Sequence, residues 1–205
     1  MRQPKIHRAL GLLLGCALIM LPALADPPHW IGSYGNSAAE PFPARPGLPI
    51  PAPLLAQGTL RYRLPMSEGG TRLQVRLSNV AGKQPLAVGA VSVALAAEGV
   101  KARPASLRRV SFGGRSAVEI PAGAPALSDP VELLVPRGVV VLVSVYLPEP
   151  VEQAQAANGL LTVLARGRDV TQDAVLAGAV SVSARPLVAG IDVETRTSAG
   201  TIVTL

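Results

Sequence analysis

Apolar and polar residues alternate along much of this chain with a period of two, and glycine or proline interrupts the alternation at short intervals. Leu73, Val75 and Leu77 alternate with Arg72, Gln74, Arg76 and Ser78, which is the pattern of a strand with one face buried and the other wet. Further strands are predicted at Thr59–Leu64, Leu86–Ala96, Ser116–Ile120, Val131–Val135, Val139–Leu147, Leu160–Ala165 and Leu187–Val193. Between them lie Gly69-Gly70, Ala81-Gly82, Gly113-Gly114, Pro121-Ala122-Gly123 and Pro136-Arg137-Gly138, the residue types that turns demand. No segment offers a long amphipathic helix with caps, and Ala154–Asn158 has room for one turn only. Many short strands divided by Gly/Pro turns predict an all-β fold, a jelly-roll-like β-sandwich. No internal repeat is visible.

The first 25 residues read differently. Arg2, Lys5 and Arg8 precede an apolar run from Ala9 to Leu24, closed by Ala23-Leu24-Ala25, the three-part pattern of a secretory signal cleaved between Ala25 and Asp26. A membrane anchor is the competing reading, but the run is about 16 residues long, contains Pro22, and falls short of the ~20 that a spanning helix needs. Leu13-Leu14-Gly15-Cys16 also resembles a lipobox, which would make Cys16 the first, lipidated residue. The expected location is therefore secreted or periplasmic, with no transmembrane helix after cleavage. Cys16 is the sole cysteine, so a chain starting at Asp26 has no disulfide and no thiolate chemistry. Residues 26–57 follow as a lead-in dense in proline and glycine that cannot hold a helix, with Trp30, Ile31 and Tyr34 expected to pin part of it to the sandwich at 58–193.

Charge and aromatic content exclude one class of partner. Removing Arg2, Lys5 and Arg8 from 19 basic residues leaves 16 against 13 acidic ones, a net charge of +3. The arginines are scattered at strand spacing, and six aromatics (one Trp, three Tyr, two Phe) make no stacking surface for nucleic acid. No cofactor and no metal site is expected, since His29 is the only histidine beyond the signal.

Seven short blocks, in order, carry a resemblance: Trp30-Ile31-Gly32-Ser33; Thr59-Leu60-Arg61; Arg76-Leu77-Ser78-Asn79 with Gly82, Pro85-Leu86 and Gly89; Phe112-Gly113-Gly114-Arg115; Ile120-Pro121-Ala122-Gly123; Ser128-Asp129-Pro130-Val131; and Val145-Tyr146-Leu147-Pro148. From about residue 30 to 205 the chain resembles the N-terminal region of secreted SGNH/GDSL-type hydrolases, in which a β-sandwich precedes and packs on the catalytic domain. The resemblance implies that residues 194–205 are a linker plus the first strand, Thr201–Leu205, of an absent α/β catalytic domain of the same chain. It implies too that the Gly-Asp-Ser nucleophile motif, the oxyanion glycine and asparagine, and the Asp-x-x-His pair all lie downstream. No catalytic residue carries over onto any position here. The function so implied is the non-catalytic portion of a serine-dependent ester hydrolase, inactive by itself. The alternatives are a stand-alone envelope binding or interaction module and a folding aid for a separately encoded catalytic half.

Three local patterns invite other readings. Gly35-Asn36-Ser37 and Asp26-Pro27-Pro28-His29 imitate a nucleophile motif and an Asp-x-x-His pair, yet they stand in the wrong order with prolines inside the pair, so a flexible lead-in is expected rather than a triad. Glu149 and Glu152 flank Pro150 in a predicted solvated loop. Trp30, Tyr34 and Tyr62 offer an aromatic platform for a glycan, against the simpler expectation of core anchors and a docking staple. Asn79 is expected to end a strand and set a turn, because asparagine tolerates the left-handed conformation and caps turns through its side chain.

Overall fold

The structure, a computed structural model, describes residues 26–36, 54–152, 161–182 and 187–196. The predicted signal segment, Ser37, the turn at 154–158 and the terminal strand at 201–205 lie outside the described residues. In chain order the strands are β1 (His29–Gly35), β2 (Leu54–Leu55), β3 (Gly58–Pro65), β4 (Gly70–Ser78), β5 (Leu86–Val88), β6 (Ala90–Leu95), β7 (Arg108–Val110) and β8 (Val118–Ile120). Then come β9 (Pro125–Leu127), β10 (Val131–Val135), β11 (Val140–Leu147), β12 (Val151–Glu152), β13 (Thr162–Arg166), β14 (Val180–Ser181) and β15 (Val188–Thr195). A single 3-10 turn at Pro104–Ser106 is the one helical element among the described residues.

Two antiparallel sheets make the body of the fold. The first runs β1-β15-β4-β10, with β9 also paired to β4, and the second runs β14-β13-β3-β11-β6-β7. Their inner faces share one apolar core: Leu73, Val75, Leu77, Ile191 and Val193 from the first sheet meet Leu60, Leu64, Val91, Val93, Val141, Val143 and Val145 from the second. Each fully buried Leu, Val or Ile of this kind contributes about 1.5–3 kcal/mol, which is why the alternation dictates register: a one-residue slip would turn the whole set to water. The expected all-β sandwich is the architecture observed.

Local departures have physical causes. The predicted strand Leu86–Ala96 is two strands: β5 pairs with β8 outside the main sheets, and β6 pairs with β11 and β7 in the second. Gly89 divides them. Its N–H donates to the Tyr146 carbonyl at 2.9 Å, and a Cβ there would stand 2.7 Å from Tyr146 Cδ1. The lead-in is not merely extended, because β1 is the edge strand of the first sheet, paired with β15 in register His29↔Thr195, Trp30↔Glu194 and Ile31↔Val193. A bulge between Gly32 and Tyr34 shifts that register. The Ser33 hydroxyl there donates to Glu68 O (2.7 Å) and accepts from Glu68 N (2.9 Å), while Ser33 O accepts from Ser67 N. The sandwich therefore includes residues on both sides of the expected 58–193 boundaries, since β15 continues to Thr195.

The two sheets differ on their outer faces. Across the second sheet Val163, Arg61, Ser144 and Ser92 lie in one cross-strand row, and the chain from Gly167 to Ala179 covers it. Val170 and Leu176 pack on Val163 and Ala165. Arg61 is fully buried under this cover. It donates through Nε to Ser144 Oγ (2.8 Å), through Nη1 to the carbonyls of Val100 and Ala174, and through Nη2 to that of Asp173 (2.6 Å). Burial lowers its pKa to about 10, partly opposed by the Asp173 charge, so it remains a cation at neutral pH and its cost is met by these four acceptors. Thr59 and Ser92 add further ties, to Arg168 O and Thr171 O.

Candidate functional site

On the outer face of the first sheet the alternation places charge. Trp30 on β1, Glu194 on β15, Arg72 on β4 and Glu132 on β10 stand opposite one another in a single row across four strands. Opposite charges in adjacent strands attract at this spacing. Arg72 grips Glu194 with two parallel bonds, Nε to Oε2 (2.6 Å) and Nη2 to Oε1, the fork geometry that a carboxylate accepts best. Its guanidinium lies 5.8 Å from the centre of the Trp30 ring, within reach of a cation–π contact, and Glu132 lies 3.8 Å away on the other side. The hydrogen bonds from Arg72 hold the Glu194 carboxyl below its usual range, with the Arg72 and Arg196 charges adding to the effect, and the same pairing raises the Arg72 value. Further along the same face, Arg76 pairs with Asp192.

Beside this row lies an open cleft of about 590 Å³. Arg72, Glu194, Arg196 and the exposed Leu134 line it, together with Glu68 and Arg137, which form an ion pair of 3.0 Å. Arg137 also donates to Ser67 O. The cleft thus offers fixed donors and acceptors next to apolar surface.

The residues singled out from sequence fall apart in space. Tyr62 is fully buried on β3 of the second sheet, where its hydroxyl accepts from Leu187 N and burial raises its pKa. Tyr34 packs against the same core, also with a raised pKa from burial. Trp30 alone of the three reaches the outer face, 37% exposed. The alternative of an aromatic platform is therefore not realised: Trp30 and Tyr34 sit on opposite sides of the first sheet because strand side chains alternate and the bulge at Ser33 resets the parity. His29 lies at the start of β1 with Nδ1 donating to Pro27 O (3.2 Å). Glu149 is exposed, and the side chain of Glu152 lies outside the described residues. Among the described residues no group of three His, Cys, Asp or Glu side chains is placed to hold a metal, and no helix is long and apolar enough to cross a membrane.

The blocks quoted above meet one another instead. The buried Asn79 donates through Nδ2 to the carbonyls of Gln84 (2.9 Å), Ile120 (3.0 Å) and Pro121 (3.1 Å), and its own carbonyl accepts from Gly82 N and Gly123 N. It does so without left-handed backbone, which only glycines adopt among the described residues. The expected turn-setting role is thus carried by the side chain alone. Asp129 accepts from Ser111 Oγ (2.6 Å), Gly113 N (3.0 Å) and Gly114 N (2.8 Å), bonds that hold its carboxyl below the usual range. Gly113 and Gly114 have φ of 58° and 78°, so the loop that delivers both N–H groups to one carboxylate needs glycine twice. Sequence reading missed Arg61 and Asp129 as organising groups. Locally Arg61 is indistinguishable from Thr59 and Arg63 at the same parity of β3, and Asp129 stands fifteen residues from Gly114 in the chain, so neither gave a local signal.

No protein-family model matches this chain, and a search of curated proteins finds no similar sequence.

Proposed function

We propose that this chain is the non-catalytic β-sandwich portion of a secreted SGNH/GDSL-like ester hydrolase, whose complete form would cleave ester bonds through a serine nucleophile supplied by a separate α/β domain of the same chain. The observation that carries this reading is that the resembling blocks, distant in sequence, are tertiary partners. Asn79 joins the Ile120–Gly123 block, Asp129 joins the Phe112–Arg115 block, and Gly89 joins Tyr146. Thr59 and Leu60 pair directly with Tyr146 and Val145. Such contacts are what blocks that maintain a shared fold would make, and they support the reading to that extent.

The test has two arms. The coding DNA after codon 205, translated in three frames, should contain Gly-Asp-Ser followed by a hydrolase-like stretch, and its absence from all frames overturns the reading. Purified chain should turn over a short-chain nitrophenyl ester at the background rate; turnover abolished by Ser37→Ala would place catalysis in this chain and sink the proposal. Intact mass then reports whether the secreted protein begins at Asp26 or at Cys16.

A further inference from the structure

β10 pairs with β4 on one side and, among the described residues, with no strand on the other. Its residues Val131, Leu133 and Val135 are buried, while Leu134, on the outer face, is 68% exposed. The sheet therefore ends, among the described residues, on an apolar strand of five residues, and an edge of this kind is a template for another strand. Pro136 follows β10, and just before it Asp129 N donates to Ser111 O beside β7 (2.8 Å). These two features bound the open edge to the length of β10 itself.

We propose that residues 197–205 of this chain complete that edge, with Thr201–Leu205 running antiparallel to β10 and Ile202 opposite Leu134. The inference does not rest on the reading above; it concerns where these residues go when no α/β domain takes them up. Strand sense favours it, because β15 and β10 are both antiparallel to β4, so a chain that turns back after β15 is antiparallel to β10. Glu194, Arg72 and Glu132 share one row, which puts the end of β15, the start of β4 and the end of β10 at the same end of the sheet. The cleft joins these three places: Thr195 and Arg196, Gly70 and Thr71, and Leu134 all line it. Its cations already face anions, Arg72 with Glu194 and Glu132, Arg137 with Glu68, and Arg196 with Glu194. An uncharged occupant therefore suits it, and Thr197-Ser198-Ala199-Gly200 is one, small in every side chain. The position beyond β10 lies three strand spacings from β15, ~14–15 Å, and the five steps from Arg196 to Thr201 span up to ~16–18 Å. Thr201 thus arrives beside Val135. Ile202 then covers Leu134, Thr204 faces Glu132, and Val203 and Leu205 join the side of the buried Leu133 and Val131. The other free edge, β1, is a poorer host: a strand there would lie parallel to β1, the weaker pairing, and would meet Pro28, which lines the cleft just before β1.

The experiment uses the whole chain carrying Cys16→Ser, which leaves no native thiol. Leu134→Cys with Ile202→Cys should close an intramolecular disulfide in oxidised glutathione, because directly opposed strand residues have Cα atoms ~4.5–5.5 Å apart, within disulfide reach. Intact mass and peptide mapping read the bond. Val175→Cys, at an exposed position on the cover of the second sheet, is combined with Ile202→Cys as the control and should stay reduced. Separately, a chain ending at Arg196 should exchange the amides of 131–135 about tenfold faster than the full chain, with β3 and β11 unchanged. Each measurement stands without the other, so a variant that fails to fold does not end the test. Neither depends on what the DNA after codon 205 encodes, so this inference and the functional reading fail separately. Equal cross-linking of the two cysteine pairs, a disulfide that joins two chains instead of closing one, or exchange in β10 unchanged by the truncation would each overturn the proposal.

Discussion

Asn79 is the most demanding test of how this sandwich holds its loops together. Its amide has two N–H bonds for three carbonyl acceptors, those of Gln84, Ile120 and Pro121, so at least one N–H is shared between two acceptors. In Asn79→Ala the Ile120 carbonyl loses this partner inside the protein, at a cost of about 1–3 kcal/mol, while the Gln84 and Pro121 carbonyls lie nearer the surface and recover water. Adding the lost tie between the two loops, the expected destabilisation is roughly 2–3 kcal/mol, or a melting temperature lower by about 4–12 °C for a chain of this size. Asn79→Asp separates hydrogen bonding from packing, because the shape is kept but an ionised carboxylate donates nothing and faces three carbonyl oxygens. It should be less stable than Asn79→Ala at pH 7. The protonated acid can donate, so folding raises the pKa of the introduced group above its unfolded value of about 3.9. Its contribution to stability is then complete below that value and lost as pH rises through the folded pKa. Thermal melts of wild type, Asn79→Ala and Asn79→Asp at pH 4, 5, 6 and 7 measure this directly. An Asn79→Asp protein as stable as Asn79→Ala at pH 7, or with a deficit that does not shrink towards pH 4, would refute the donor role.

Arg61→Met removes the donors that hold Val100, Asp173 and Ala174, and should cost roughly 2–4 kcal/mol; amide exchange should speed up across 167–179 while β4 and β15 are unaffected, and uniform protection would contradict the assigned role of the arginine. Asp129 is held below the ordinary carboxylate range first by the Ser111 hydroxyl, then by the N–H groups of Gly114 and Gly113, so its stabilising effect is present above pH ~4 and fades as pH falls through its folded value. Asp129→Asn should therefore lose less stability than wild type on going from pH 5 to pH 3, as read from urea midpoints, and parallel acid limbs would show that the carboxylate does not matter.

What the sequence made legible was whatever depends on burial by alternation. The strand Val131–Val135 is found as expected, and β3, β4, β11 and β15 lie within two or three residues of their predicted bounds, because a half-buried strand has only one register that keeps Leu and Val inward. Illegible features were those in which alternation stays the same while the environment changes. Arg61 occupies a wet position by parity, and nothing local reveals that the chain more than a hundred residues later folds over it. The short strands β7, β9 and β14 have too few residues to display a period. Trp30 and Tyr34, four residues apart, would share a face of a regular strand, and one bulge residue is enough to send them to opposite faces.

The distribution of these features separates fold from ligand. Asn79, Asp129, Gly89 and Arg61 all stand in or beside blocks of the family resemblance, and all spend their hydrogen-bonding capacity or their space on other parts of the chain. The cleft is lined by Glu68, Arg72, Leu134, Arg137, Glu194 and Arg196 among others, and none of these six belongs to any block. Residues that tie loops cannot vary without cost to the fold. Exposed residues on the outer face of the first sheet can, since a strand tolerates most side chains on its wet side. A family likeness carried by the tying residues therefore predicts the sandwich and leaves its ligand free. It follows that substitutions of the blocks' tying residues should lower the melting temperature more than substitutions of exposed residues at the cleft such as Leu134.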